Sequence, residues 1–262
     1  MSQLTFDAAT AKSLEATYRT ADLVVQRTRV LDLLGPVLGE RILDIGVGPG
    51  LLALALAQLV GAAGKVVGVD VSPDMLAMAR ARLSECPQAS CIETDATDLS
   101  LPDSGFDAVV STQVHEYVAD MPRAVAELHR VLRPGGRLLM LDTDWRSIVW
   151  HSSDNARMDR VLAVWDGHLV DPHLPARLGP LLTRGGFEVR RVEIFPMLTP
   201  RWQPSSYAAG ILQSIAAYAR KHGPGQDLAA AEVEAWHADQ LDLIERGEFF
   251  FSLNRYIFLA TR

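Results

Sequence analysis

Cysteine is scarce: Cys86 and Cys91 are the only two among 262 residues. Neither lies in a CxxC or Cys/His ligand spacing, so a disulfide framework and a thiolate metal site are excluded, and free thiols in a reducing compartment are expected. Basic charge is short as well. Lys and Arg total 25 against 32 Asp and Glu, a net charge of −7, and no basic block interrupts that balance. Nucleic acid and anionic membrane are therefore disfavoured as main partners. No apolar run reaches membrane-spanning length, and the opening MSQLTFDAATAKSLEATYRT has no hydrophobic signal core, so a cytoplasmic protein without membrane insertion is expected. Repeats and low-complexity tracts are missing too.

What remains is an ordinary globular composition, 48% hydrophobic and 22% charged, of a length that suits one large α/β domain. Strand-like and helix-like segments alternate, the pattern of a parallel sheet covered by helices on both faces. Strands are expected over 41–45, 65–70, 90–94, 106–112 and 137–142, with helices near 50–60, 73–84 and 121–132. Ser72-Pro73-Asp74 supplies a helix start: an N-cap hydroxyl, a proline in the first turn and an acid at the positive dipole end. Arg133-Pro134-Gly135-Gly136 ends a helix and turns the chain into a strand. Further on, a helix over 178–183, a strand over 188–195 and a closing strand over 249–260 are expected. The organisation is one domain: N-terminal helices over 1–37, a core over 38–196 and 248–262, and a helical cap over 197–247. Residues 144–173, rich in Trp, His and Asp, also fall outside the regular rhythm. Insertions of this kind on an α/β core often form lids or substrate walls.

The chemistry is concentrated in Arg41-Ile42-Leu43-Asp44-Ile45-Gly46-Val47-Gly48-Pro49-Gly50, a strand, a glycine turn and a helix start. The glycines alternate as GxGxG, whereas a dinucleotide fingerprint requires GxGxxG to seat a pyrophosphate. Asp44 suits an ammonium group better than a pyrophosphate. Twenty positions beyond Gly50, Val66-Val67-Gly68-Val69-Asp70 ends a strand in an acid able to accept both ribose hydroxyls. A third acid, Asp95, follows the next strand. All three would stand at the carboxyl ends of parallel strands, where open α/β sheets bind ligands.

At these residues the chain resembles the class I S-adenosylmethionine-dependent methyltransferases, particularly the branch containing ubiquinone- and menaquinone-biosynthesis enzymes. The resemblance spans roughly residues 38–143. Its matching phrases are the glycine turn, Asp70-Val71-Ser72-Pro73-Asp74-Met75-Leu76, Leu101-Pro102 with Phe106-Asp107, and Leu132-Arg133-Pro134-Gly135-Gly136. It implies a Rossmann-like seven-stranded sheet, mostly parallel with an antiparallel last strand, and S-adenosyl-L-methionine as cofactor. By the same resemblance Gly46, Gly48, Gly50 and Asp44 would hold the methionine part. Asp70 with Val71 would meet the ribose side, Met75 would flank the adenine, and Asp95 with Ala96 would meet its edge. Gln113 would line the transfer site. Asp107 reads as a turn or cap residue and is left out.

The implied activity is methyl transfer to a small-molecule O, N or C acceptor by direct in-line displacement, which needs no metal. A base is needed only where the acceptor must lose a proton, and His115 and His151 are the candidates. Trp145, Trp150, Trp202 and Tyr207 offer an apolar pocket for a flat acceptor, or plain core. Asp166, His168 and His173 have no spacing that by itself shows a metal site. Arg27 lies on a helix over 22–34 whose apolar stripe is Leu23, Val24, Val30, Leu31 and Leu34, so it faces inward. Its partner is the cofactor carboxylate, helped by Tyr18, or else a protein acid or solvent. A nicotinamide-dependent oxidoreductase and a cofactor-binding scaffold without turnover stay open as alternatives, and a homodimer is admitted.

Overall fold

The computed structural model describes residue 15 and residues 17–262; the remainder of the expected N-terminal helices, residues 1–14 and 16, lies outside the described residues. In chain order the elements are α1 (Ala21–Leu34), β1 (Arg41–Ile45), α2 (Leu51–Val60), β2 (Lys65–Asp70), α3 (Pro73–Arg82), β3 (Ala89–Glu93), β4 (Phe106–Thr112) and α4 (Met121–Val131). After them come β5 (Leu132–Trp150), α5 (Asn155–Asp166), α6 (Pro175–Arg184), β6 (Glu188–Thr199), α7 (Tyr207–His222), α8 (Ala230–Glu245) and β7 (Phe251–Thr261). Local chemistry sets the helix starts. Ser72 Oγ accepts from Met75 N at 3.3 Å, Asp120 from Arg123 N at 3.0 Å and Asp154 from Arg157 N at 2.9 Å, each satisfying an amide that the first helical turn leaves unpaired.

The strands form one sheet in the order β3-β2-β1-β4-β5-β7-β6. β1 to β5 run parallel, and β7 runs antiparallel to both β5 and β6. Successive residues point to opposite faces, so Ile42, Val66, Leu139 and Leu141 pack under α1, α2 and α3, while Leu43, Val67, Leu138 and Met140 pack under α4 and α6. Runs buried on both sides are what a parallel sheet between helices demands.

Two strands extend beyond the lengths read from sequence. β5 was expected over 137–142 but continues to Trp150, because β7 offers an antiparallel ladder that resumes at Val149 and Trp150 after an irregularity following Asp144. β6 likewise runs on to Thr199 along β7. The turn at Arg133-Pro134-Gly135-Gly136 closes α4 but stays within β5, since Gly135 N donates to Arg262 O at 2.8 Å and Arg262 N to Gly136 O at 3.0 Å. Above this end of the sheet, α7 and α8 fall inside the expected cap, and α5, from the preceding insertion, packs with them. Trp145, Trp150, Trp165, Ile211, Leu212, Ile215, Tyr218 and Trp236 build a core of their own there. On α1 the buried side carries Leu23, Gln26, Val30 and Leu34, whereas Val24 is 44% exposed. The stripe is rotated toward residue 26 because Gln26 pairs with a buried arginine on β7. Among the described residues no helix is long and apolar enough to cross a membrane.

The cap core should respond to its largest side chain. Trp236 is fully buried and its Nε1 lies 3.2 Å from Met158 Sδ, so Trp236→Ala removes about 3–5 kcal/mol. Amide exchange should show α7 and α8 losing protection while β1 and β4 keep most of theirs; equal loss in both would mean that cap and sheet open as one unit.

Candidate functional site

A bent cavity opens at the carboxyl ends of β1, β2 and β4. Its long arm encloses about 330 Å³ and is lined by Gly46, Gly48, Asp70, Val71, Met75, Asp95, Ala96, Gln113, Val114 and Tyr117 among others. A short arm of about 80 Å³ continues past Gln26, Arg27, Val30, Val47 and Pro49. The arms share Tyr18, Gly46, Gly48, Thr112 and Gln113. Of the twelve residues assigned to the cofactor from sequence, ten line this cavity; Asp44 and Gly50 lie behind the glycine turn. Thr94, Thr112 and Val114 were not singled out, though each adjoins a residue that was; Tyr117 and Val118, brought in by the turn after β4, had no such neighbour.

The glycine turn works by backbone proximity. A Cβ on Gly46 would stand 2.1 Å from Val114 Cγ2, and its φ of +67° is one that side chains disfavour. Gly50, with φ +81°, presses α2 against α3, where a Cβ would meet Ala79 Cα at 3.0 Å. Asp70 holds the turn in place: Oδ2 accepts from Gly48 N and Oδ1 from Ser72 N, both at 2.9 Å. Burial raises its carboxyl above the ordinary value, and these backbone N–H groups oppose the rise. Each oxygen keeps lone pairs for a diol. Gln113 sits at φ +57°, an uncommon conformation for a residue with a side chain, and places its amide at the junction of the arms.

Asp44 is 1% exposed, and its Oδ2 has no hydrogen-bond partner among the described residues. Burial pushes its carboxyl up to about 8, with the Asp70 charge adding to the effect. An acid left unmatched under a glycine turn fits a donor such as an ammonium group arriving in the cavity. At the other side of the short arm, Arg27 donates to Tyr18 O at 3.4 Å and to no other acceptor among the described residues. Desolvation lowers its pKa, and the charges of Arg82 and Arg19 lower it further. That concentration of positive charge suits a carboxylate.

The two histidines lie elsewhere. His115 is fully buried with Nδ1 2.9 Å from Ser111 Oγ, and burial pushes it down to about 4. His151 is exposed and its Nδ1 meets Glu248 O at 2.8 Å. Neither lines the cavity. Trp145, Trp150 and Tyr207 are buried in the cap core and Trp202 packs against it. His173 contacts Asp144 at 3.1 Å and Asp166 at 4.0 Å, while His168 turns to Trp165 O. Asp107 accepts from Arg41 N at 2.8 Å and Arg133 Nε at 2.6 Å, a structural role at the far end of the sheet.

The buried acids set a pH dependence. Asp44, with its folded value of about 8 against an ordinary 3.8, retains a proton in the fold after the unfolded chain has released it. Folding then takes up a proton, so stability is full below about 4 and declines as pH rises toward 8. Asp44→Asn should therefore raise the urea midpoint of the ligand-free protein at pH 8, with a smaller gain at pH 5. A gain independent of pH would mean that Asp44 is ionised across the whole range.

Comparison with known proteins agrees with this architecture. The family described as a methyltransferase domain matches residues 43–140. An uncharacterized 37.1 kDa protein of a Streptomyces fradiae transposon is 31% identical over 236 residues, 88% of this chain and 65% of that protein. A 2-phytyl-1,4-naphtoquinone methyltransferase of a Nostoc species is 35% identical over 163 residues, 61% of this chain and 65% of the relative. The curated relatives are thus matched over 42% to 65% of their own lengths. In three dimensions, phosphoethanolamine N-methyltransferase 2 of Haemonchus contortus, solved with S-adenosyl-L-methionine, superposes with a TM-score of 0.63 at 20% identity, covering 99% of this chain and 58% of that one. With the strand order, the glycine turn and the acid register already in place, residues 43–140 match a methyltransferase domain, and over that core the chain resembles the class I S-adenosylmethionine-dependent methyltransferases, the quinone methyltransferases among them.

Proposed function

We propose that this chain binds S-adenosyl-L-methionine in the bent cavity and transfers its methyl group to a small, flat acceptor of the quinone type. The observation that carries the reading is the order of groups along one continuous cavity. Arg27 stands at the short arm, the unmatched Asp44 lies beneath the turn, Asp70 follows at the middle, and the apolar Val71, Met75 and Ala96 line the far end. Carboxylate, ammonium, ribose and adenine occur in that order in the cofactor. The GxGxG turn gives no pyrophosphate seat, which disfavours the nicotinamide alternative.

When bound, the cofactor supplies an electrophilic methyl on a sulfonium. The protein's contribution is to orient and to exclude water. Asp70 fixes the ribose while holding Gly48 against it, Arg27 and Asp44 take the charged end, and Gln113 sits where the arms join. Alignment of this kind lowers the barrier through proximity and orientation. Tyr18 and Tyr117 present flat walls to an aromatic acceptor, in keeping with relatives named for naphthoquinone and menaquinone substrates. The cap core keeps Trp145 and Trp150 as packing residues. The surplus of acids gives no electrostatic footprint for nucleic acid.

Calorimetry should detect S-adenosylhomocysteine binding and none of NADH. Asp70→Ala should weaken S-adenosylhomocysteine by about 1–3 kcal/mol, and unchanged affinity with an intact fold would remove Asp70 from the site.

Arg27 is tested by ligand choice. Wild type should prefer S-adenosylhomocysteine to its decarboxylated analogue, and Arg27→Met should lose most of that preference. A preference that survives the substitution would rule the carboxylate contact out.

A further inference from the structure

β6 is an outermost strand of the sheet, paired on one side with β7. Its two faces differ. Glu193, Phe195 and Met197 turn to the side of α1, where Arg29 holds Glu193 at 2.7 Å and the two apolar residues pack into the cores. The opposite face carries Val192, Ile194, Pro196 and Leu198. On that side α4 and α6 cover the sheet at Leu138, Met140 and Phe258, and past these residues the face lies open. Val192 is 50% exposed, Ile194 58% and Leu198 51%, and Val149 on β5 is 59% exposed.

The strand register makes these residues one patch. Leu198 and Val149 both stand opposite Ser252, a small side chain on the strand between them, and Ile194 and Val192 follow along β6 opposite Tyr256 and Phe258. Their open surface is on the order of 400 Å², the size at which an apolar patch on a soluble protein marks a contact. A standard interface takes about 800 Å² from each partner, a little over half of it apolar. This patch with its rim therefore suffices for one side of such a contact.

The outer edge of β6 is poorly suited to a further strand. A register shift between Val189 and Arg191 bends it, Arg190 and Arg191 are charged, and Pro196 has no N–H to donate. An extended peptide laid along β6 is thereby disfavoured, and docking falls to the flat face. The rim decides the partner. Over residues 188–193, Glu188 pairs with Arg190 and Arg191 with Glu193, so the rim is neutral and selects neither a basic nor an acidic surface. Mixed charges around an uncharged centre match their own copy across a two-fold axis, where the same patch serves both sides. The net charge of −7 opposes self-association, and a contact centred on uncharged side chains adds nothing to that repulsion.

We propose that the chain forms a two-fold dimer with a second copy of itself, the open face of β6 and β7 packing against the same face of its partner, sheet on sheet. Val149, Val192, Ile194, Pro196 and Leu198 fill the contact. In the strand order β6 stands three places from β4, at whose end the cavity opens. Each copy thus keeps its own cavity, and the dimer does not depend on the methyl-transfer reading.

Sedimentation velocity on the full chain at micromolar concentrations should show a particle of two chains. Ile194→Glu sets like charges against each other in the contact and should raise the dimer dissociation constant about tenfold or more, as losing a central apolar contact does. Leu38→Glu adds the same charge at an exposed site before β1 and should leave the dimer intact. A wild type that stays monomeric overturns the proposal, whether the patch meets solvent or another segment of its own chain. So does an Ile194→Glu protein that dimerises as tightly as wild type. Equal weakening by Leu38→Glu overturns it too, since net charge rather than this face would then govern association. Circular dichroism reports the fold of each variant; should Ile194→Glu fail to fold, Leu198→Lys, on the same exposed row, takes its place under the same outcomes.

Discussion

One carboxylate holds the working end of this sheet together. Asp70 ties the amide of Gly48, in the turn after β1, to the amide of Ser72, at the start of α3. The turn closes once on itself, Gly50 N donating to Val47 O at 2.9 Å, which leaves the amides of Gly48 and Ser72 to Asp70. Without Asp70 those amides would have only solvent. The acid therefore does structural work before any ligand arrives, and it still has lone pairs to offer. Position and chemistry are fixed by the same two hydrogen bonds.

Much of the core was legible because it repeats local rules. Strand, glycine turn and capped helix follow one another from residue 41 onward, and the acids Asp44, Asp70 and Asp95 mark strand ends, so the sheet and most of the cavity lining could be read directly. The extension of β5 to Trp150 was not legible, because its second half is ordered by a partner strand about a hundred residues away. The same holds for α1. Val24 fits an apolar stripe on paper, yet Gln26 takes the buried position because Arg255 waits behind it. Polar groups buried in pairs defeat hydrophobic periodicity, since neither member announces the other.

The catalytic side shows the same limit. His115 and His151 stood out by residue type and by place after β4 and β5, but the fold turns one into the sheet beside Ser111 and the other toward Glu248. Beside His115, burial also raises the carboxyl groups of Glu116 and Asp142. Their sequence signal was only adjacency: Glu116 follows His115, and Asp142 ends the strand segment expected over 137–142. Burial, which decides their chemistry, is a tertiary property.

The length of β5 also bears on how the helical core of α5, α7 and α8 is tied to the sheet. β5 leaves α4 and ends at Trp150 inside the second core, its ladder with β7 interrupted between Asp144 and Val149, while β6 and β7 run alongside it. The sheet and the helical core beside it are thus joined by paired strands. Motion of α7 and α8 relative to the sheet is therefore limited by the β5–β7 and β6–β7 ladders that run into their core.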